Sequence, residues 1–251
     1  MKRLYLRSRL AAGMTVDLDR GQSNYLVNVL RMEPGATIAV FNGSDGEWEA
    51  ALGQRDRRAW GLTVQGQLRE QTAAPDLYYL FAPLKQARLD YMVQKAVEMG
   101  AGLLTPVLTH RGQVSKVNTQ RMEANAVEAA EQCGLLSIPQ IDEPVPLFQL
   151  IEAWPSLEPN RRIVYCDEES TGNDPVTVLP PLAGTKLAVL IGPEGGFSPD
   201  ERSRLRSRPF VTTIGLGPRI LRADTAAVAA LALVQALAGD WPAAAERRST
   251  I

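Results

Sequence analysis

The sequence predicts a two-part α/β chain, with a small β-barrel over residues 1–70 and a parallel α/β domain over residues 77–240. Three observations carry this. The first 70 residues hold short strand-like runs broken by turn residues, with a single helix among them. From Leu77 onward, apolar strands alternate with helices of 3.6-residue periodicity, the rhythm of a parallel sheet with crossover helices. Near the C-terminal end, two glycine-rich loops each follow a strand and lead into a helix.

In the first part, 14–18 and 36–41 carry strand patterns, and Asn42-Gly43-Ser44-Asp45-Gly46 is a hairpin loop feeding strands at 48–52 and 60–64. A helix over 22–31 is closed by Pro34-Gly35. The segment 71–76 (QTAAPD) reads as a linker. Beyond it, 77–82 is an apolar strand. Leu89, Met92, Val93, Ala96 and Val97 fall at helical spacing, with Gly100 as cap. A strand at 103–108 follows, then a helix capped by Asn118 and running to about Cys133. Strands at 161–166, 186–191 and 210–216 complete the alternation.

Composition narrows the function. Lys and Arg number 27 against 28 Asp and Glu, so the whole-chain field does not advertise a polyanion partner. Locally, six arginines (202, 204, 206, 208, 219 and 222) face only Asp200 and Glu201, which reads either as an RNA-facing strip or as a solvated helix face. Cys133 and Cys166 lack CxxC spacing and read as reduced thiols in or near the core. His110 is the one histidine, which excludes a His-rich metal site, and no metal is expected. Neither a signal core nor an uninterrupted membrane-length apolar run occurs, so a cytoplasmic protein with no membrane association is expected.

The first glycine loop, Gly192-Pro193-Glu194-Gly195-Gly196-Phe197, leaves the apolar run KLAVLI, which suits a strand buried on both faces. Ser198-Pro199-Asp200-Glu201 then starts a helix, with Ser198 as N-cap, Pro199 in the first turn and Glu201 closing a capping box. Ligands of open α/β sheets bind at such strand-to-helix loops. The loop lacks the phosphate-loop lysine and is not GxGxxG, so a nucleotide-phosphate enzyme is disfavoured. Its paired glycines read either as a generic turn or as close backbone approach to a ligand. In the second loop, Gly215-Leu216-Gly217-Pro218-Arg219-Ile220-Leu221-Arg222 precedes a helix opened by Asp224-Thr225, with Asp224 as expected N-cap. That helix, alanine-rich and apolar nearly all round, reads as part core and part dimer interface.

LIGPEGGFSPDE (190–201) and LGPRILRADTAA (216–227), in this order and at this separation, resemble the signature pair of the RsmE family, 16S ribosomal RNA (uracil-N3) methyltransferases of the SPOUT superfamily. Gln94-Lys95-Ala96-Val97-Glu98-Met99-Gly100, Glu131-Gln132-Cys133-Gly134, Val29-Leu30-Arg31 with Pro34-Gly35, and Phe41-Asn42-Gly43 resemble further family segments, so the match spans residues 3 to 240. The chain departs from the pattern at Leu135-Leu136, where the family has an arginine, at Ala223-Asp224, where the family has T-E, and near Tyr25, where it has a histidine.

The resemblance implies a PUA-like RNA-binding β-barrel followed by a SPOUT α/β domain with a deep trefoil knot at about 163–240. It implies a homodimer that uses S-adenosyl-L-methionine (SAM) to methylate N3 of a uridine in 16S rRNA, within the small subunit. Carried onto this chain, Ile191, Gly192, Gly195, Gly196, Leu216, Gly217, Ile220, Leu221 and Thr225 are the expected cofactor contacts. Arg222 is expected to hold the uracil oxygens or a phosphate. Glu194 or Asp224 is expected to take the N3 proton, the alternatives being that Glu194 shapes its loop and Asp224 caps its helix. Arg31, Lys85, Arg88, Arg111 and Arg219 are the expected RNA contacts, and His110 ranks below the acids as a base. Two rival readings remain: a SPOUT enzyme acting on another rRNA or tRNA position, and a non-catalytic RNA-binding assembly factor, for which a cofactor cleft has no use.

Overall fold

The computed structural model describes residues 1–56, 59–170 and 172–241. The chain divides into two compact units, Met1–Ala74 with Ala130–Ile138, and Pro75–Ala129 with Pro139 onward.

The N-terminal unit is a five-stranded sheet in the order β1-β3-β4-β5-β2, built from β1 (Arg3–Tyr5), β2 (Thr15–Asp17), β3 (Thr37–Phe41), β4 (Glu47–Asp56) and β5 (Ala59–Arg69). β1 runs parallel to β3, and the remaining pairs are antiparallel. Alternation along the strands sends Ile38, Val40, Ala50, Leu52, Leu62 and Val64 into one core. The strands at 48–52 and 60–64 extend well beyond the sequence reading, because the polar ends of β4 and β5 keep pairing after the apolar pattern stops.

The single helix expected at 22–31 is corrected. It begins earlier, at α1 (Arg20–Asn24), where Asp19 and Gln22 form a capping box that the apolar pattern does not reveal. It then widens into a π-helical turn, Tyr25–Val29, in which the Leu30 amide reaches back to the Tyr25 carbonyl. Leu26 is that turn's one buried residue. Arg31 follows at φ 53°, the only left-handed non-glycine residue among those described.

Segment 130–138 packs on this unit through Arg3. Its guanidinium, 2.5 Å from Glu47, also donates to the carbonyls of Ala130 and Leu135. Leu136 is buried and serves packing here.

The C-terminal unit holds an all-parallel sheet ordered β12-β10-β11-β6-β7-β8, with β9 alongside β7. In chain order its elements are β6 (Leu77–Phe81), α2 (Gln86–Glu98), β7 (Ala101–Leu108), α3 (Thr119–Cys133, whose last turn belongs to the N-terminal unit), β8 (Gln140–Ile141), β9 (Val145–Pro146), α4 (Leu147–Leu157), β10 (Arg161–Cys166), α5 (Pro175–Val178), β11 (Lys186–Ile191), α6 (Pro199–Arg206), β12 (Val211–Ile214) and α7 (Ala223–Leu237). β11 is buried from Leu187 to Ile191, as a strand covered on both faces must be. α2 buries the five residues its spacing marked.

α4 was not foreseen. Its buried stripe, Leu147, Leu150, Ile151 and Trp154, has helical spacing, but Pro146 ahead of it and Pro155 inside it punctuate the sequence as a loop.

At the N-terminal end of this sheet Arg161 is almost wholly buried. It lies 3.4 Å over the Tyr78 ring and bonds Asp76, Glu158 and the Leu187 carbonyl, so its charge is fully met. α7 buries one face (Ala223, Ala227, Ala230, Leu231, Val234, Gln235) and leaves Val228, Ala229, Ala232 and Leu233 partly exposed, so it is less enclosed than an all-round apolar helix would be.

A cleft at the carboxyl ends of three parallel strands

β10, β11 and β12 are adjacent and parallel, so the chain leaves all three at one end of the sheet. The loops after Cys166, Ile191 and Ile214 surround a cleft of about 250 Å³. The Asp167 amide bonds the Ile214 carbonyl and the Gly215 amide bonds the Asn173 carbonyl, which holds the first and third loops in place.

The first glycine loop is pinned from several sides. Ser198 caps α6, and Glu201 completes the capping box by accepting the Ser198 amide at 2.7 Å. Glu201 is only 3% exposed, and its other oxygen accepts the His110 amide at 2.7 Å. Arg111 donates to the Gly195 carbonyl, and Arg88 forms an ion pair with Glu194. The glycines answer to the protein itself. A Cβ at Gly192 would lie 2.6 Å from the Phe197 ring, and one at Gly196, where φ is +66°, would lie 2.1 Å from Glu168 Oε1. Phe197 in turn packs edge-on against Tyr165, 5.2 Å between centroids. Burial drives the Tyr165 hydroxyl far above its ordinary range, with Asp167 adding to it, so this wall does not ionise.

In the second loop Gly217 takes a positive φ with open space around it. The N-cap of α7 is Arg222, with no side-chain cap bond, and not Asp224 as the sequence reading had it. Asp224 lies inside the first turn, where its carboxylate accepts the Thr225 amide and suits the positive end of the helix.

Of the expected cofactor contacts, Ile191, Gly192, Gly196, Leu216 and Gly217 line the cleft, as do Ile220 and Leu221. Gly195 and Thr225 do not line it. Ile220 is 90% exposed, so it stands at the rim. Of the expected catalytic residues Glu194 lines the cleft, whereas Arg222, the N-cap of α7, and Asp224, in its first turn, do not.

Among the expected RNA contacts, Arg219 is exposed on the cleft, and Lys85 and Arg88 line a second hollow together with Gln113 and Glu194. Arg111 is held by Gly195, and Arg31 belongs to the N-terminal unit. The arginine strip divides. Arg202, Arg204, Arg206 and Arg208 pair with Glu169, Glu152, Asp167 and Glu152, although Arg204 and Arg206 stay exposed; Arg219 and Arg222 are exposed and form no such ion pair among the described residues.

Sequence reasoning missed the loop after β10, which gives the cleft Asp167, Glu168 and Ser170. The strand itself was read, and the rule that ligands sit beyond the carboxyl ends of parallel strands was the available signal. Cys166 also lines the cleft, and burial raises its thiol well above the ordinary range. Cys133 is exposed at the end of α3, against the reading of a near-core thiol; both cysteines are free. Among the described residues no cluster of His, Cys, Asp or Glu could hold a metal ion, and no helix is long and apolar enough to cross a membrane.

Comparison with known proteins places relatives beside this geometry. A family model described as an RNA methyltransferase domain matches residues 71–235, and one described as an RNA methyltransferase PUA domain matches 18–59. The chain is similar to ribosomal RNA small subunit methyltransferase E of Rickettsia conorii, 30% identical over 94% of this chain and 95% of the relative. Its counterpart in Bacillus subtilis is 27% identical over 91% and 92%. Among solved structures, ribosomal RNA small subunit methyltransferase E from Neisseria gonorrhoeae, bound to SAM, superposes with a TM-score of 0.83 at 25% identity over 96% of this chain and 99% of the other. A methyltransferase from Legionella pneumophila, also bound to SAM, gives 0.79 at 28% identity over 93% and 96%.

Proposed function

Because the chain belongs to the ribosomal RNA small subunit methyltransferase E family, we propose that it transfers a methyl group from SAM to N3 of a uridine in 16S ribosomal RNA. The observation that carries this reading is the cleft itself: both family signature loops border it, at the carboxyl ends of adjacent parallel strands. The residues fit the cofactor. Ile191, Leu216 and Leu221 offer an apolar wall for an adenosine, and acidic side chains suit a molecule with a cationic sulfur and an ammonium. When bound, the cofactor supplies an electrophilic methyl group; this chain has to orient the uridine and deal with its proton.

Uridine N3–H is a weak acid, and its anion spreads charge to both carbonyl oxygens. Arg222, exposed as the N-cap of α7, is the cation we assign to meet that charge. Glu194 faces the cleft and is the side chain we assign to take the proton. Its ion pair with Arg88 holds the carboxylate in place until RNA phosphate competes for the arginine. Asp224 is the second choice, since its carboxylate is engaged with its own helix turn. Lys85, Arg88, Arg111 and Arg219 would receive the RNA backbone on this unit, and Arg31 on the other.

The finer features of the family follow in the same reading. The five-stranded sheet acts as a PUA-like barrel that holds RNA, and residues 163–240 of the SPOUT domain form the trefoil knot. The partly exposed face of α7 contributes to a homodimer. The substrate is the RNA of the small ribosomal subunit in the cytoplasm. The test is methyl transfer from isotope-labelled SAM to small subunits lacking the modification, beside naked 16S rRNA and tRNA. Labelling of 16S rRNA supports the reading, and labelling of tRNA alone overturns it.

A further inference from the structure

We propose that Glu168 and Arg202 form the subsite for the zwitterionic amino-acid end of the cofactor, Glu168 receiving the ammonium and Arg202 the carboxylate. This inference rests on the cofactor reading above.

Three acids line the cleft: Asp167, Glu168 and Glu194. Two are committed. The Asp167 carboxylate is fully buried and lies 2.5 Å from Arg206, and Glu194 is paired with Arg88. Glu168 differs. Its side chain is 45% exposed, and the cation beside it, Arg202 Nη1, lies at 3.7 Å, beyond hydrogen-bonding distance. Its carboxylate sits against Gly196, where the absent Cβ leaves it room.

Arg202 also lines the cleft, with its side chain only 11% exposed. Its short contact, 2.7 Å, goes from Nη1 to Glu169. A guanidinium is a planar fork of five donors, and one such contact leaves capacity for a carboxylate. The cleft therefore presents one anion and one cation side by side. An α-amino acid carries an ammonium and a carboxylate on a single carbon, and is complementary to that pair in sign. The apolar wall of Ile191, Leu216 and Leu221 remains for the nucleoside.

The experiment is calorimetric titration of the full chain and its Glu168→Gln and Arg202→Gln variants with three probes. These are SAM, S-adenosylhomocysteine, and 5′-methylthioadenosine, which keeps the nucleoside and the thioether but lacks the amino acid. Loss of one charge-assisted contact predicts about a tenfold or greater weakening of SAM and S-adenosylhomocysteine in each variant. Binding of methylthioadenosine should stay within about twofold of the parent, which also shows that the cleft is folded. If Arg202→Gln does not fold, Glu168→Gln decides alone. Unchanged SAM and S-adenosylhomocysteine affinities, or a parallel loss of methylthioadenosine, overturn the subsite while leaving the cofactor reading intact. If the parent binds none of the three probes, the cofactor reading itself falls, and the subsite with it.

Discussion

Replacing Glu201 with alanine tests how the first glycine loop is held. Its carboxylate accepts two backbone amides at 2.7 Å, Ser198 from its own cap and His110 from the end of β7. Hydrogen bonds to a charged group contribute about 1.5–3 kcal/mol each, and Glu201 is 3% exposed, so water does not readily replace them. The substitution should therefore cost about 3–5 kcal/mol. For a chain of this size that is a fall in melting temperature of roughly 10 °C in the transition of the C-terminal unit. Glu201→Gln keeps the shape but offers one carbonyl oxygen to two amides, and should cost about half as much. Ser198→Ala removes only a 3.3 Å hydroxyl contact and should cost about 1 kcal/mol or less. Scanning calorimetry with and without SAM reads both stability and cofactor affinity, and affinity should fall in the same order. A cost for Glu201→Ala no larger than that of Ser198→Ala would refute the reasoning, since the bridge to His110 would then contribute nothing.

Four further outcomes are expected. In the N-terminal unit burial alone would raise Glu47, but hydrogen bonds from Arg69 and Arg3 outweigh it and hold the carboxyl below its ordinary value of 4.5. A depressed carboxyl stabilises the fold above its unfolded value and loses that contribution as pH falls through its folded value. Acid melts should thus show this unit weakening below about pH 4.5, and Glu47→Gln should remove that component and cost about 2 kcal/mol at neutral pH. Gly192→Ala, which drives a methyl into the Phe197 ring, should abolish measurable SAM binding by calorimetry. Gly217→Ala, strained by its φ of +91° but free of any clash, should cost only about 1 kcal/mol in a thermal melt. Arg222→Ala should lower the single-turnover methylation rate of RNA about a hundredfold with cofactor affinity unchanged; an unaltered rate would remove Arg222 from the chemistry.

Much of the cleft was legible because its signals are local. The run KLAVLI, the Ser198–Glu201 capping box and the two glycine loops fixed a strand end, a helix start and their junction without long-range information. What the loops contact was not legible. That Gly192 makes room for Phe197 and Gly196 for Glu168 depends on chains that meet only in the folded unit, so glycines read as room for a ligand are first of all room for the protein. Asp224 was misread as a cap because acids favour both the N-cap and the first turn, and Arg222 starts the helix two residues earlier with no side-chain signal. The pairing within the arginine strip was hidden for a similar reason: Glu152, Asp167 and Glu169, which pair with four of its members, lie far off in sequence. In the N-terminal unit the π-helical turn was hidden because its pattern is that of a short α-helix. α4 has helical periodicity, but Pro146 and Pro155 interrupt the local signal.

The most direct test of the central claim is the identity of the methylated nucleoside. Small ribosomal subunits lacking the modification are incubated with the protein and labelled SAM, the 16S rRNA is digested to nucleosides, and the label is located by chromatography and mass spectrometry. The account predicts a single labelled product, 3-methyluridine. Label in a ribose-methylated or other base-methylated nucleoside, or none despite saturating SAM, would contradict it.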